Sequence, residues 1–227
     1  MSNFTFFLPT RKGSERIKHK NTRQFAGYQG GLVSLKIEQL LQVPNIPILI
    51  STNDPKTIGL AQSFASPRIQ IIERPEILSQ SNTDLQDLIN YIPTITDAKH
   101  IIWTHVTSPF ITAELYQKAL DKYLEYLNQG YDSLMSVTKI QEFLWDKNVN
   151  SAINFDRSQI KWPRTQDLNP LYAVNSGIFI NSHENYLSQQ DRIGKNPYLL
   201  ELNSLESMDI DWEEDFNTAA KIYEALH

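Results

Sequence analysis

Thr10 to Asn21 reads TRKGSERIKHKN, and with the two residues after it this stretch carries Arg11, Lys12, Arg16, Lys18, Lys20 and Arg23 against the single acid Glu15. The chain as a whole is acidic, with a net charge of -5. Positive charge gathered in one short loop makes a local anion site. Arg and Lys side chains, helped by backbone N–H groups, can wrap a triphosphate, and Gly13 gives the backbone the freedom to do so. The alternative is a solvated basic loop with no ligand. A second group lies near the other end, in SMDIDWEEDF, Ser207 to Phe216. In an extended segment residues i and i+2 point to the same side, so Asp209 and Asp211 present two carboxylates together. These repel unless a cation lies between them, and hard oxygen donors suit Mg²⁺. The alternative is that Asp211 is only a helix N-cap, with Glu214 completing a capping box and Glu213 and Asp215 favouring the helix dipole.

The elements that must hold these groups alternate. FTFFL (Phe4 to Leu8), PILIST (Pro47 to Thr52), IQIIE (Ile69 to Glu73), HIIWTHV (His100 to Val106) and DSLMSV (Asp132 to Val137) read as strands. Between them lie helical patterns at Leu32 to Val43, Asp54 to Ala65, from Thr83 onward, and Glu114 to Gly130. Asp54 followed by Pro55 is an N-cap followed by Pro at the first helical position. Leu85, Leu88, Ile89 and Ile92 recur at helical spacing. The alternation predicts an α/β layered fold with a mostly parallel sheet. From about residue 138 to 174 the rhythm fails, and the polar, aromatic-spotted segment reads as an inserted hairpin lobe in an otherwise single domain spanning 1–227. GIFI (Gly177 to Ile180) returns to strand character, and the chain closes on a helix.

The bulk numbers bound the function. Of 227 residues, 41% are apolar and 21% charged, and none is cysteine. Disorder is excluded, as are disulfides, zinc–thiolate sites and cysteine nucleophiles. No run approaches a membrane span, and the N-terminal apolar run lacks the form of a signal peptide. The expectation is a cytoplasmic protein that binds neither membrane nor nucleic acid. In an open parallel sheet, ligands gather at the carboxyl ends of the strands, which is where the loop after the first strand would sit. That loop is neither a Walker A loop nor a GxGxxG turn.

LPTRKGSERIKHKN resembles the first motif of the acylneuraminate (CMP-sialic acid) cytidylyltransferases and the related CMP-Kdo synthetases. The resemblance runs from Phe4 to Ala225. It implies a Rossmann-like nucleotidyltransferase three-layer fold with an inserted dimerisation hairpin lobe. It also implies a CTP site in which Arg11, Ser14, Arg16, Lys20 and Asn21 match the phosphate and nucleotide contacts, with Arg11, Lys20 and Asp211 catalytic. ERPEILSQSNT matches Arg74 and Ser79 to positions near the cytidine, while Ser81 stands where the family has Asp. THVTSPFI places His105 where the family's Gln meets the sugar acid, and Ile111 where it has Arg. A histidine there still donates a hydrogen bond and can titrate near neutrality; the alternative is a structural strand-end histidine. WPRTQDLNPLYAVNSGIFI matches Arg164, Gln166 and Asn175 to residues around the acidic sugar. Ala173 replaces an Arg common in the sialic-acid branch, which argues against ordinary sialic acid as the acceptor. Asp209 and Asp211 match the metal-binding DID.

The function so implied is cytidylyl transfer from CTP to an acidic 2-keto sugar, with Mg²⁺ as cofactor, in a homodimer whose lobe crosses to the partner. Phe143, Trp145, Phe155 and Trp162 give that lobe interface anchors. Two other readings remain open. One is a nucleotidyltransferase for another sugar or polyol phosphate; the other is a catalytically silent nucleotide-binding homologue, favoured by the departures at Lys12, His105, Ile111 and Ala173.

Overall fold

The computed structural model describes residues 3–227, so the first two residues of the expected domain lie outside the described residues. Its frame is a seven-stranded sheet. Strands β1 (Phe4–Pro9), β2 (Ile48–Thr52), β3 (Ile69–Glu73) and β4 (His100–Thr104) are mutually parallel. Strand β5 (Ser133–Ile140) joins them through β8 (Leu171–Ser182), which runs antiparallel to both β4 and β5, and β9 (Pro197–Leu202) adds a parallel edge beside β5. The order is β3-β2-β1-β4-β8-β5-β9. Only β8 is reversed, so the fold is the expected α/β layered type with a mostly parallel sheet.

Alternation along the strands builds two cores. Phe6, Leu8, Ile48, Ile50, Ile102, Ile178 and Ile180 face one way. They are covered by helices α1 (Gly31–Gln42), α4 (Ala113–Leu127) and α6 (Glu213–Leu226). Phe7, Leu49, Ile101, Trp103 and Phe179 face the other way. Leu88 and Ile89 of α3 (Leu85–Tyr91) and Tyr186 of α5 (His183–Gln189) cover these. Successive side chains on opposite faces, each face buried, account for the near-continuous apolar runs in the sequence.

Helix α2 (Pro55–Ser63) begins as expected, with the Asp54 carboxylate accepting the Lys56 N–H at 3.2 Å. Helix α3 is capped by Asp84, whose carboxylate accepts the Gln86 N–H at 2.9 Å. Helix α4 stops three residues before Gly130, which takes a left-handed φ of 88° past its end. The expected lobe shares its arms with the sheet, because Thr138 pairs with Ala173 and Ile140 with Leu171. Beyond them the lobe carries the small hairpin β6 (Trp145–Asp146) and β7 (Ser151–Ala152).

Candidate active site

A cleft of about 460 Å³ opens at the carboxyl ends of β1 and β4. The loop after β1 forms one wall through Arg11, Ser14, Arg16, Lys20 and Asn21. Trp103, His105 and Thr107 from β4 and its exit form the floor, and Leu88 of α3 closes a side. The loop is held in place from three directions. The Lys12 N–H donates to Asn53 Oδ1 at 2.9 Å. The buried Arg74 guanidinium donates to the carbonyls of Thr10 and Ser51, the latter at 2.7 Å. At the far end, Val33 N–H donates to the Asn21 carbonyl at 2.9 Å. Gly31, with φ at 63°, leaves no room for a Cβ against the Arg23 carbonyl, so this junction requires glycine.

The Asp209–Asp211 segment crosses to this wall from the other end of the chain. Lys20 Nζ donates to the Ile210 carbonyl at 2.8 Å, and Arg16 pairs with Asp211 at 3.1 Å. The Ile210 N–H donates to the Thr107 carbonyl at 3.0 Å, which joins the segment to the cleft floor. Arg23 pairs with Glu213 at 2.8 Å and stacks over Phe216 of α6.

Asp211 is not the helix cap. Trp212 holds that position, and its N–H donates to Asp215 Oδ2 at 2.7 Å, as does the Asp211 N–H at 3.0 Å. Asp215, not Glu214, therefore reaches back to the N–H groups of the cap residue and the residue before it. This leaves both Asp209 and Asp211 carboxylates for other work.

The electrostatics are set by burial. Burial lowers the Lys20 pKa from its ordinary value, while Asp209 and Asp211 act to raise it. Burial raises the Asp209 pKa, opposed by a hydrogen bond from Thr107 and reinforced by the Asp211 charge. Asp209 Oδ1 is buried with no hydrogen-bond partner. An orphaned carboxylate oxygen beside a second carboxylate is a donor set that fits a hard divalent cation. No cluster of three or more His, Cys, Asp or Glu forms among the described residues, so the remaining ligands of such a cation would come from phosphate oxygens and water. His105 is held neutral: burial, then the charges of Arg192, Lys20 and Lys36, push its pKa down to about 3. Burial likewise pulls Arg74 down to about 10.

The structure thus brings Arg11, Ser14, Arg16, Lys20, Asn21, His105, Asp209 and Asp211 together. Arg74 reaches the cleft, but its hydrogen bonds go to backbone carbonyls that fix the loop. Ser79 does not reach it: its hydroxyl donates to Pro75 O within its own turn at 3.2 Å, and Ser81 lines the cleft instead. Arg164 and Gln166 sit on the lobe, away from this chain's cleft, and Arg164 makes a two-pronged pair with Asp167 at 2.7 and 3.0 Å. Asn175 is occupied between β8 and β5. Its Oδ1 accepts from Ser136 at 2.6 Å and its Nδ2 donates to Thr138 at 3.2 Å, beside the left-handed Ser176.

Comparison with known proteins places the chain in a family. The chain is 23% identical over 218 residues to the N-acylneuraminate cytidylyltransferase of Streptococcus agalactiae, covering 92% of this chain and 50% of that protein. It therefore spans about half the length of that relative. It is 24% identical over 231 residues to the pseudaminic acid cytidylyltransferase of Campylobacter jejuni, covering 97% and 96% of the two chains. A solved CMP:2-keto-3-deoxy-manno-octonic acid synthetase complexed with CTP superposes with a TM-score of 0.67 at 15% identity over the whole of both chains, a likeness of fold. Residues 5–226 match the family model described as cytidylyltransferase. A match over nearly the whole chain shows that it belongs to the cytidylyltransferase family.

Proposed function

We propose that this chain transfers the cytidylyl group of CTP to the anomeric hydroxyl of an acidic 2-keto sugar, giving the CMP-sugar and pyrophosphate. The observation that carries this reading is that Arg11, Arg16 and Lys20 line one cleft while the Asp209–Asp211 segment is bound to Arg16 and Lys20 at its wall. Arg11, Arg16 and Lys20 bind the triphosphate and offset the charge that grows on the leaving pyrophosphate. The sugar hydroxyl oxygen bonds to the α-phosphorus as the bridge to the β-phosphate breaks, and the hydroxyl proton leaves to solvent. Asp209 and Asp211 would hold Mg²⁺, which supplies charge neutralisation at the phosphates. Lys20, fixed on the Ile210 carbonyl, keeps the loop and the DID segment in one geometry. Ser14 and Asn21 add polar contacts to the nucleotide. A reaction that consumes CTP points to the cytoplasm.

The test is pyrophosphate release with CTP and Mg²⁺ across a panel of 2-keto sugar acids. Turnover with one acid is expected, and Lys20→Ala should lower it by about 100-fold or more without unfolding the chain. Wild-type-like turnover in that variant would sink the assignment.

We also propose a homodimer in which the lobe carries Arg164 and Gln166 to the partner's cleft. The support is that both residues lie off their own cleft. In addition, Phe143, Phe155 and Trp162 form a ring cluster on the lobe, with Trp162 68% exposed. Mixing inactive Lys20→Ala with inactive Arg164→Ala protein should then restore activity, since each mixed dimer keeps one intact site. Failure to complement would refute shared sites.

A further inference from the structure

Arg192 lies between α5 and β9, in a segment to which no sequence motif pointed. Its guanidinium carbon stands 3.9 Å from the centre of the Phe179 ring and 5.2 Å from that of Trp103. Both rings are buried in the sheet face beneath α3 and α5. Stacking on two rings stabilises the cation. Yet the half-buried guanidinium makes no hydrogen bond or ion pair with any described residue. Asp191, its neighbour in sequence, instead accepts the Ile193 N–H at 3.3 Å. A guanidinium carries five donors in a fixed fork, and leaving them without acceptors where water is scarce is costly.

Three further polar atoms around it also lack partners: His105 Nε2, Trp103 Nε1 and the Tyr186 hydroxyl, all buried. Trp103 and His105 form the cleft floor, and Trp103 pairs with Phe179 across β4 and β8. The group therefore meets the cleft at Trp103 and His105, with Arg192 stacked on Trp103 behind them, whereas Arg11, Arg16 and Lys20 occupy the loop wall. His105 has its ring centre 6.0 Å from that of Trp103, the ring that the Arg192 guanidinium covers at 5.2 Å, and the Arg192 charge helps to hold the imidazole neutral. A neutral imidazole next to an unpaired guanidinium offers one planar anion a bidentate partner and a further hydrogen bond.

We propose that Arg192 receives the carboxylate of the acceptor sugar, with His105 as a hydrogen-bonding neighbour. This rests on the acidic-sugar reading above. It gives this chain a cationic residue for the acid behind the Trp103 and His105 floor of its own cleft, which Arg164 does not reach and where position 173 is alanine.

The test measures equilibrium binding by calorimetry in the presence of a non-hydrolysable CTP analogue and Mg²⁺. The probes are N-acetylneuraminic, pseudaminic and 2-keto-3-deoxy-manno-octonic acids, their methyl esters, and a neutral-sugar phosphate. The variants are Arg192→Met, which keeps an apolar stem over the two rings, and Arg192→Lys, which keeps the charge without the fork. Wild type should bind one acid better than its ester. Arg192→Met should weaken acid binding by about 10- to 100-fold and erase the preference over the ester. Binding of the CTP analogue and the melting temperature should be unchanged, and Arg192→Lys should fall between. An acid-to-ester ratio retained in Arg192→Met overturns the inference while leaving the proposed reaction intact. So does loss of CTP-analogue binding in both variants, which would assign Arg192 to structure. Wild-type binding of the sugar phosphate alone, or of no acid, overturns the inference together with the acidic-sugar reading. That outcome is seen without any variant, so the two failures are told apart.

Discussion

Asp209 and His105 are the two residues whose surroundings say most about their task. Asp209 has a buried oxygen with nothing to accept from, so a divalent cation binding there should stabilise the folded chain. Magnesium is expected to raise the melting temperature of wild type and to leave Asp209→Asn unmoved; an equal shift in both would remove Asp209 from the metal site. His105 gives a pH dependence. In the unfolded chain it takes up a proton near its ordinary pKa of 6.5, but in the folded chain only near 3. The unfolded state then binds more protons between those values, so stability falls as pH drops through that window. His105→Gln, which carries no such proton, should lose less stability than wild type between about pH 7 and pH 5 in urea titrations. Equal losses would mean that His105 is solvated after all. Much of the candidate site was legible in the sequence because Arg11, Arg16, Lys20, Asp209 and Asp211 sit in motifs whose charge and spacing are themselves the signal. Arg192 was not legible: an isolated arginine after a short helix has no pattern, and only the two rings beneath it and the absence of an acceptor set it apart.

At the scale of elements, the turn that follows β4 depends on helix α1. Lys36 of α1 is fully buried, and its Nζ donates to the Ser108 carbonyl at 2.9 Å and the Ile111 carbonyl at 3.1 Å. Gln39, one turn on, donates to Pro109 O at 2.7 Å. Burial drives the Lys36 pKa well below its usual value. Lys36→Ala would orphan two carbonyls and leave a cavity, at a cost of about 3 kcal/mol or more. Urea unfolding checks this, and a change below about 1 kcal/mol would show that the turn holds itself. Strands β1 to β5 and helices α1 to α4 could be read from apolar runs, periodicity and the Asp54-Pro55 start. Helix α5 and strand β9 escaped. Each is short, and α5, HENYLSQ, buries only Tyr186, so its apolar period is almost empty. The reversal of β8 had no sequence signal either, because the pairing of Trp103 with Phe179 is a matter of register between distant segments.

For the molecule as a whole, the site is made from opposite ends of the chain. The bond from Lys20 to Ile210 spans 190 residues, and so does the pair between Arg23 and Glu213. Asp209→Asn combined with Asp211→Asn should leave every element in place but weaken CTP binding in the presence of Mg²⁺, a loss that nucleotide titration would measure; unchanged affinity would place the nucleotide site wholly in the first loop. During synthesis the same separation has a temporal meaning. The basic loop emerges from the ribosome early, and its acidic counterpart follows roughly 10–40 s later at ordinary elongation rates. Throughout that interval the nascent chain displays an unneutralised cationic segment beside a polyanionic ribosome. The Glu213 and Asp211 contacts that quench it arrive only with the last helix.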